Sequence, residues 1–524
     1  MFFTGVASST RKRDWVRISA ALLLILICSF CLNYWGNDFP LSLHPDEIKK
    51  VLFIRGDAKT DFYHPQLILK FGRIFADIAN ASLRQEIAQA ARTSTALLGS
   101  IAVLFTFCLA KQFLSAPASL LAASLLAVSP GIVIHSHYLK EDIALTCFAT
   151  ASLLLAIVTA KESSGDSSSK ATDCKVAVIW GLLTGLAISS KYTAFILFPF
   201  YFFLPWLIKK IHRKIFHKQL IISGLIAAMI FLLINNQLFT DFKTFFQGLD
   251  VELHHVISGH GGIKIYPWHN LIHLTKNLPD SIGPLTLILG LFGMSGEILR
   301  WRRVDISKRT ALYFTIYVYI ILECLPLKPP PGEARYVLPL IPPLTCFAAS
   351  AVSELSQWLK SRSGFSLFVA IALSVTTLMP SLSRSLVLNQ YLRDDIRTRI
   401  PETISTYLKP IAIDTMGSTN YTGYNFLEDS IKEEISTKSH NIFDQNNALE
   451  SQNKICTFIT SSFIYDRYLM ASNFSGQGEW VYKKSHFYQK LFDQPFKEIN
   501  PKEPSYSFVN PTLRVVNLCL PKAE

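Results

Sequence analysis

The sequence predicts a polytopic α-helical membrane protein with a small external α/β domain at its C-terminal end. Three observations predict it. Half of the 524 residues are hydrophobic and only 17% are charged, with a mean hydropathy of +0.29; soluble domains carry about 25% charged residues. Apolar runs of bilayer-spanning length, roughly 20 residues each, recur from residue 16 to residue 382. Beyond that the chain turns polar, with short strand-like runs over a stretch long enough to fold alone.

The first apolar run, Val16 to Trp35, follows Arg11-Lys12-Arg13. Charge followed by an apolar stretch also marks a signal peptide, but this run is longer and lacks a small-residue cleavage site, so it reads as an uncleaved first span. Further runs lie near 93–113, 115–134, 142–160, 176–190, 192–208, 219–238, 281–299, 310–327, 335–353 and 364–382, for about eleven spans. The 176–190 run is short and is parted from the next by Lys191, as expected of a tilted, broken or re-entrant segment. Residues 1–382 then form the membrane domain and 383–524 the external domain.

Orientation follows from the basic loops. With the N-terminus inside, Lys111, Lys161 to Lys175, Lys209 to Lys214, Arg300 to Arg309 and Lys360 to Arg362 all face the cytoplasm, as the positive-inside rule requires. An odd number of spans then leaves the C-terminus outside, in a multi-pass protein of the plasma (inner) membrane. The formal charge of +13 is explained by this topology, and no basic patch on a soluble fold points to nucleic acid. Of the nine cysteines, Cys28, Cys31, Cys108, Cys147 and Cys346 sit in apolar runs as small hydrophobes. Cys456 and Cys519 fall in the external tail, where one disulfide between them is open.

External loop 36–92 carries His44-Pro45-Asp46-Glu47 and then Asp61-Phe62-Tyr63-His64-Pro65-Gln66. From Leu67 to Ile78 the apolar residues recur at helical spacing, which predicts an amphipathic helix on the membrane surface. External loop 239–280 holds His254, His255, His260, His269 and His273. His269 and His273 are four apart, as metal ligands on a helix are, but with no third ligand at known spacing they read as solvated loop histidines. Ile411 to Asp414, Lys454 to Thr460 and Leu513 to Leu518 read as strands, and 161–174 as a flexible inside linker. Asn80, Asn420 and Asn473 each open an Asn-x-Ser/Thr triplet.

The acidic pairs Asp46-Glu47 and Glu141-Asp142 should share one side of the membrane. Carboxylates beside a bilayer are costly unless solvated or paired, so a site that gathers them handles charge or protons. Handling a lipid-linked phosphosugar needs a carboxylate to take a proton, cations to neutralise the leaving phosphate and an apolar groove for the tail. Asp46, Glu47 and Asp142 are the candidates for the first role. Lys191, Lys328 and Arg335 serve the second, Arg335 with the planar fork that suits phosphate.

The ordered set Asp46-Glu47, the His64-Pro65 step, His135-Ser136-His137-Tyr138-Leu139-Lys140-Glu141-Asp142, Gly185 to Thr193 and Arg335-Tyr336-Val337-Leu338-Pro339-Leu340 resembles the protein O-mannosyltransferase-like membrane glycosyltransferases of the GT-C type, which include the lipid A aminoarabinose transferases. The resemblance covers residues 15–400. It implies inverting transfer of a sugar from a polyprenyl phosphate to an acceptor outside the cytoplasm, with Asp46 as base, Asp142 as a second acidic group, and Lys191 and Arg335 at the family's basic positions. With Lys328, His64 and Tyr336 these two make up the candidate substrate-binding residues. A divalent metal could join the carboxylates, although no ligand framework demands one. The chain lacks a repeated sugar-binding domain between spans, which favours a lipid or glycan acceptor over a protein.

Each residue also has a plain reading. The acidic pairs could cap the helices that follow them, and Lys191 and Arg335 could be interfacial anchors. A transporter would place charges beside spans too, but with internal repeats and helices broken near the midplane. Here no two halves resemble each other and the charges gather at one rim. A non-catalytic assembly protein would not need the rim carboxylates.

Overall fold

The computed structural model describes residues 9–164, 174–300, 305–360, 366–407, 411–416, 420–434, 455–502 and 504–519. Helix α1 (Ser9–Tyr34) leads into the first polar loop, which folds as α2 (Glu47–Arg55) and α3 (Leu67–Ile78). The long α4 (Arg84–Ala110) follows, then α5 (Ala116–Ala127) and α6 (Pro130–His137), which meet at 52°. Pro130 lies in the first turn of α6, where its missing N–H does least harm, and it stops α5 from running on.

The bundle continues through α7 (Glu141–Glu162), α8 (Cys174–Ser190), α9 (Leu197–Leu207), α10 (Arg213–Ile234) and α11 (Phe242–Ser258). Then come the short α12 (Leu278–Ile282) and α13 (Pro284–Leu299), either side of a 115° bend at Gly283, whose φ of +90° suits glycine alone. Helices α14 (Ile306–Cys324), α15 (Ile341–Lys360) and α16 (Ser366–Arg393) complete it.

Every apolar run of the sequence is thus helical, but the span count is lower on length and composition. Among the described residues six helices pass as membrane-crossing, or up to eight if two bent pairs each count as one span. The runs at 176–190 and 192–208 form shorter helices, and α14 carries Lys308, Arg309 and Glu323. The short α8 is held by close packing on α10. A Cβ on Gly181 would lie 2.6 Å from the Ile226 Cβ, and one on Gly185 2.9 Å from the Ala227 carbonyl oxygen. Small residues four apart allow such backbone approach.

Helix α3 spans the predicted residues, but its Leu67, Ile68 and Gly72 are buried against protein, while Ile74 and Ile78 are exposed. The 239–280 loop contains an unforeseen helix, α11. Its apolar Phe242, Phe246, Leu253 and Ile257 face outward. The linker expected at 161–174 falls mostly on 165–173, outside the described residues.

The last bundle helix runs past the boundary drawn at 382 and ends at Arg393. Beyond it lie α17 (Ile400–Ile404), α18 (Asp429–Glu434), α19 (Ser462–Ala471) and α20 (Glu479–Phe492). They accompany a mixed sheet of order β1-β2-β4-β3, formed by Ile411–Ile413, Thr457–Ser461, Phe496–Ile499 and Leu513–Asn517. Strand β1 pairs parallel with β2; the other pairings are antiparallel. One sheet face packs Ile413, Ile459, Leu513 and Val515 on Ile400 and Ile404, and the other packs Phe458 and Val516 among Phe463 and Tyr488. Cys456 and Cys519 are disulfide-bonded across the ends of β2 and β4.

Candidate active site

Two cavities meet near the N-terminal end of α7. One, of about 300 Å³, is lined largely by apolar groups, among them Leu145, Leu197, Phe314, Val318 and Leu322. The other, of about 680 Å³, is polar and is lined by Asp46, Lys50, His64, Lys140 and Lys328. Lys191, Glu252, Arg335 and Tyr336 border both.

Asp46 stands at the N-cap position of α2, yet its side chain makes no capping bond. The carboxylate instead accepts from Lys140 Nζ at 2.5 Å and lies 3.8 Å from Arg335 Nη1. Its side chain keeps 38% exposure. Burial would raise its pKa, but the surrounding positive charge, Lys140 foremost and Arg335 with it, outweighs that and holds it well below the carboxylate range. Asp46 is therefore anionic in the free site.

Glu47, its neighbour, is turned the other way and lies outside both cavities. It is fully buried in a bidentate pair with Arg92, at 3.0 Å from Nε and 2.6 Å from Nη2, and it also accepts from the Leu139 N–H at 2.7 Å. Arg92 further donates to the Asn37 and Phe39 carbonyls at 2.9 and 2.7 Å. The structure does not bring the predicted catalytic Glu47 into the chamber beside Asp46: its carboxylate accepts three bonds within a buried knot. Two residues in succession on a helix point about 100° apart, so adjacency in sequence does not make a pair in space.

Asp142 lies in the first turn of α7, where the helix N-terminus favours a carboxylate. Its Oδ1 accepts from Lys191 Nζ at 2.7 Å, and its Oδ2 is buried without a partner on the border of the apolar cavity. Lys191 sits 5.3 Å above the Tyr336 ring. Arg335 enters on a 3-10 turn, Ala334–Leu340, that follows the proline run Pro329-Pro330-Pro331. It is 6% exposed and its Nε has no partner.

Lys328 loses charge affinity through burial and the repulsion of Arg335 and Lys140, so its pKa falls well below the lysine value despite Asp46 and Glu252. His64 faces the polar chamber with Nδ1 unpartnered. Burial, then Lys140, Lys50 and Lys191, push its pKa down and keep the ring neutral.

Several lining groups escaped the sequence reading. Lys140 touches Asp46 directly; Lys50 forms a close buried ion pair with Glu141. Glu252, His255 and His260 reach the polar chamber from α11 and the turn after it. The signal for Lys140 was present, a cation abutting an acidic pair. That for Glu252 was its placement beside Leu249, Leu253 and Val256 at helical spacing. The solvated-histidine reading fails for His273, which is 1% exposed and bonded to Asn277 at 3.1 Å. His269 and His273 do not share a helix face, because the backbone turns between them at Leu271. Among the described residues no three His, Cys, Asp or Glu side chains are grouped to hold a metal. Of the three Asn-x-Ser/Thr sites, Asn420 is buried and bonded to Ser42, which removes it as an acceptor.

This helical bundle, with a polar chamber at its rim and a small appended α/β domain, has the fold of the GT-C membrane glycosyltransferases. The Archaeoglobus fulgidus oligosaccharyltransferase tethered with an acceptor peptide matches it at a TM-score of 0.60 and 13% identity, over 95% of this chain and 74% of that one. AglB from the same organism, in complex with an inhibitory peptide and a dolichol-phosphate, matches at 0.56 and 12%, over 94% and 74%. ArnT from Cupriavidus metallidurans bound to undecaprenyl phosphate matches at 0.51 and 12%, over 98% of this chain and 100% of that one. Residues 65–237 match the family described as dolichyl-phosphate-mannose-protein mannosyltransferase. No individual curated protein matches the sequence.

Proposed function

We propose that this protein transfers a sugar from a polyprenyl-phosphate donor to a lipid or glycan acceptor at the outer face of the membrane, with inversion at the sugar. The observation that carries the reading is the junction of an apolar cavity and a polar chamber at Lys191, Arg335 and Tyr336, with the open carboxylate of Asp46 beside it. A lipid tail suits the apolar cavity and its phosphate the cations at the mouth. Two of the proteins that share the fold carry polyprenyl phosphates.

In this reading the acceptor hydroxyl gives its proton to Asp46 as its oxygen attacks the anomeric carbon. The bond from that carbon to the phosphate oxygen breaks, and polyprenyl phosphate leaves into the field of Arg335, Lys191 and Lys328. One displacement inverts the centre. An Asp held at low pKa is a weak base, and the donor corrects this. Its phosphate neutralises the cations that depress Asp46, restores basicity and draws Lys140 from the carboxylate. The unpartnered Nε of Arg335 and Nδ1 of His64 are free for phosphate and sugar hydroxyl. Asp142 positions Lys191, and Glu47 holds the loop.

The same reading puts the N-terminus inside and the C-terminus outside, supported by the disposition of basic loops and by a disulfide in the C-terminal domain, which suits an oxidising compartment. The decisive experiment supplies purified protein with a polyprenyl-phosphate sugar and an envelope lipid or glycan extract and measures release of polyprenyl phosphate. Asp46→Asn should cut turnover by about 10²-fold or more while sparing donor binding. Near-normal turnover in folded Asp46→Asn, or solute uptake into sealed vesicles without donor cleavage, would sink the proposal.

A further inference from the structure

The C-terminal domain reaches into the loop that carries Asp46. Arg397 is fully buried there and uses its whole fork. Nε and Nη2 grip Asp395 at 2.8 Å each, Nη2 also donates to the Phe508 carbonyl at 2.8 Å, and Nη1 donates to the Leu43 and Asn420 carbonyls at 3.0 and 3.2 Å. Asp395 in turn accepts from the Asn510 N–H at 2.8 Å, and the Asn510 side chain accepts from the Ile396 N–H at 2.8 Å. Ser507 and Asn510, at φ +51° and +55°, turn the backbone sharply on either side of Phe508. The Phe508 ring is thereby driven edge-on against His44, with centroids 4.4 Å apart. Tyr138 packs on His44 as well, at 4.5 Å, and lies edge-on to Phe508 at 6.3 Å.

The imidazole is the upstream anchor of Asp46. The Asp46 N–H donates to His44 Nδ1 at 3.2 Å, which requires a neutral ring with its proton on Nε2. Burial lowers the His44 pKa well below the usual value and keeps that lone pair available. Asp46 caps no helix dipole with its side chain, so its carboxylate is placed by two constraints: its cation partners and the seat of His44.

Resting on the assignment of Asp46 as base, we infer that Phe508 of the C-terminal domain is a positioning residue for catalysis, which holds Asp46 in register through His44 while Arg397 fixes both sides of the contact. A displacement of about 1 Å at a reacting group can cost 10²-fold, so a small shift of the ring is enough to matter. The domain then completes the active site without lining the sugar chamber.

The test is a double-mutant cycle with donor turnover, polyprenyl-phosphate binding and thermal unfolding as readouts. Phe508→Ala should lower kcat by roughly 10- to 100-fold and leave the Kd for polyprenyl phosphate within about twofold, because the phosphate cations lie on other elements. Phe508→Leu should recover most of the loss. In the Asp46→Asn background Phe508→Ala should cost no more than about twofold, since a residue acting through Asp46 has nothing left to position. Losses that multiply in the double variant, or a normal kcat for Phe508→Ala beside a crippled Asp46→Asn, overturn the inference alone. Full activity of Asp46→Asn overturns the base assignment instead. If Phe508→Ala does not fold, Phe508→Val, which stays apolar but is too short to reach His44 as the ring does, carries the same cycle.

Discussion

Glu47→Gln separates two adjacent carboxylates that look alike in sequence. The substitution keeps size and shape but removes the anion that accepts from Arg92 Nε and Nη2 and from the Leu139 N–H. Arg92 is 0% exposed, so its charge cannot turn to water. Breaking one side of such a buried pair costs about 3–5 kcal/mol, a factor of roughly 10² to several thousand in the folding equilibrium. The amide also offers an N–H where an acceptor is needed, which leaves one arginine or backbone donor without a partner. The assay is thermal unfolding of the purified protein beside turnover per folded molecule. Glu47→Gln should show a clear drop in Tm, or loss of folded yield, while the fraction that folds keeps turnover close to normal; Asp46→Asn should show the reverse. A Glu47→Gln protein with an unchanged Tm and the turnover of Asp46→Asn would refute the structural assignment and return Glu47 to the chemistry.

Arg335→Ala should weaken polyprenyl-phosphate binding by roughly 10- to 150-fold, the loss of one charge-assisted bond of about 1.5–3 kcal/mol, and Arg335→Lys should restore only part because an ammonium lacks the fork; unchanged affinity in Arg335→Ala would place the phosphate elsewhere. Lys328 is disposed to shed its proton in the free site, and a bound phosphate would restore its charge, so donor binding should take up a proton and weaken as pH rises through the lowered Lys328 pKa. Calorimetry in buffers of different ionisation enthalpy reads this directly, and proton-neutral binding would refute it. A reporter fused after residue 524 should be active only outside the cytoplasm, and cytoplasmic activity there would reverse the orientation.

The bundle was legible because the apolar runs folded as helices, although several are shorter than the run or broken within it. What the runs could not show was their breaks. The bend at Val128 and Ser129 and the one at Gly283 are set locally, by Pro130 and by Gly283-Pro284, inside runs whose hydropathy continues through the break. Asp46, Lys191 and Arg335 were legible as charges at the ends of spans, where burial makes ions rare. Their division of labour was not. That Lys140 serves Asp46, while Lys191 serves Asp142, follows from how the chain between α6 and α7 crosses the loop before α2. Helix α11 carries its signal in Phe242, Phe246, Leu249, Leu253 and Ile257 at helical spacing, but at 17 residues with charges among them it does not register as an apolar run. Strand β3 was missed because Phe496-Lys497-Glu498-Ile499 is an exposed edge with little inward pattern.

Helix α11 has one more consequence. Its inner side contributes Glu252, His255 and Val256 to the chamber, and its outer side bares Phe242, Phe246 and Ile257. An amphipathic helix of this kind suits the headgroup zone, and on the proposed topology the bilayer itself would then support this wall of the chamber. Detergent replaces that flat support with a curved and mobile one. Rates measured in micelles and in vesicles should therefore differ for a mechanical reason, and a reconstituted membrane is the setting in which the proposed turnover should be measured.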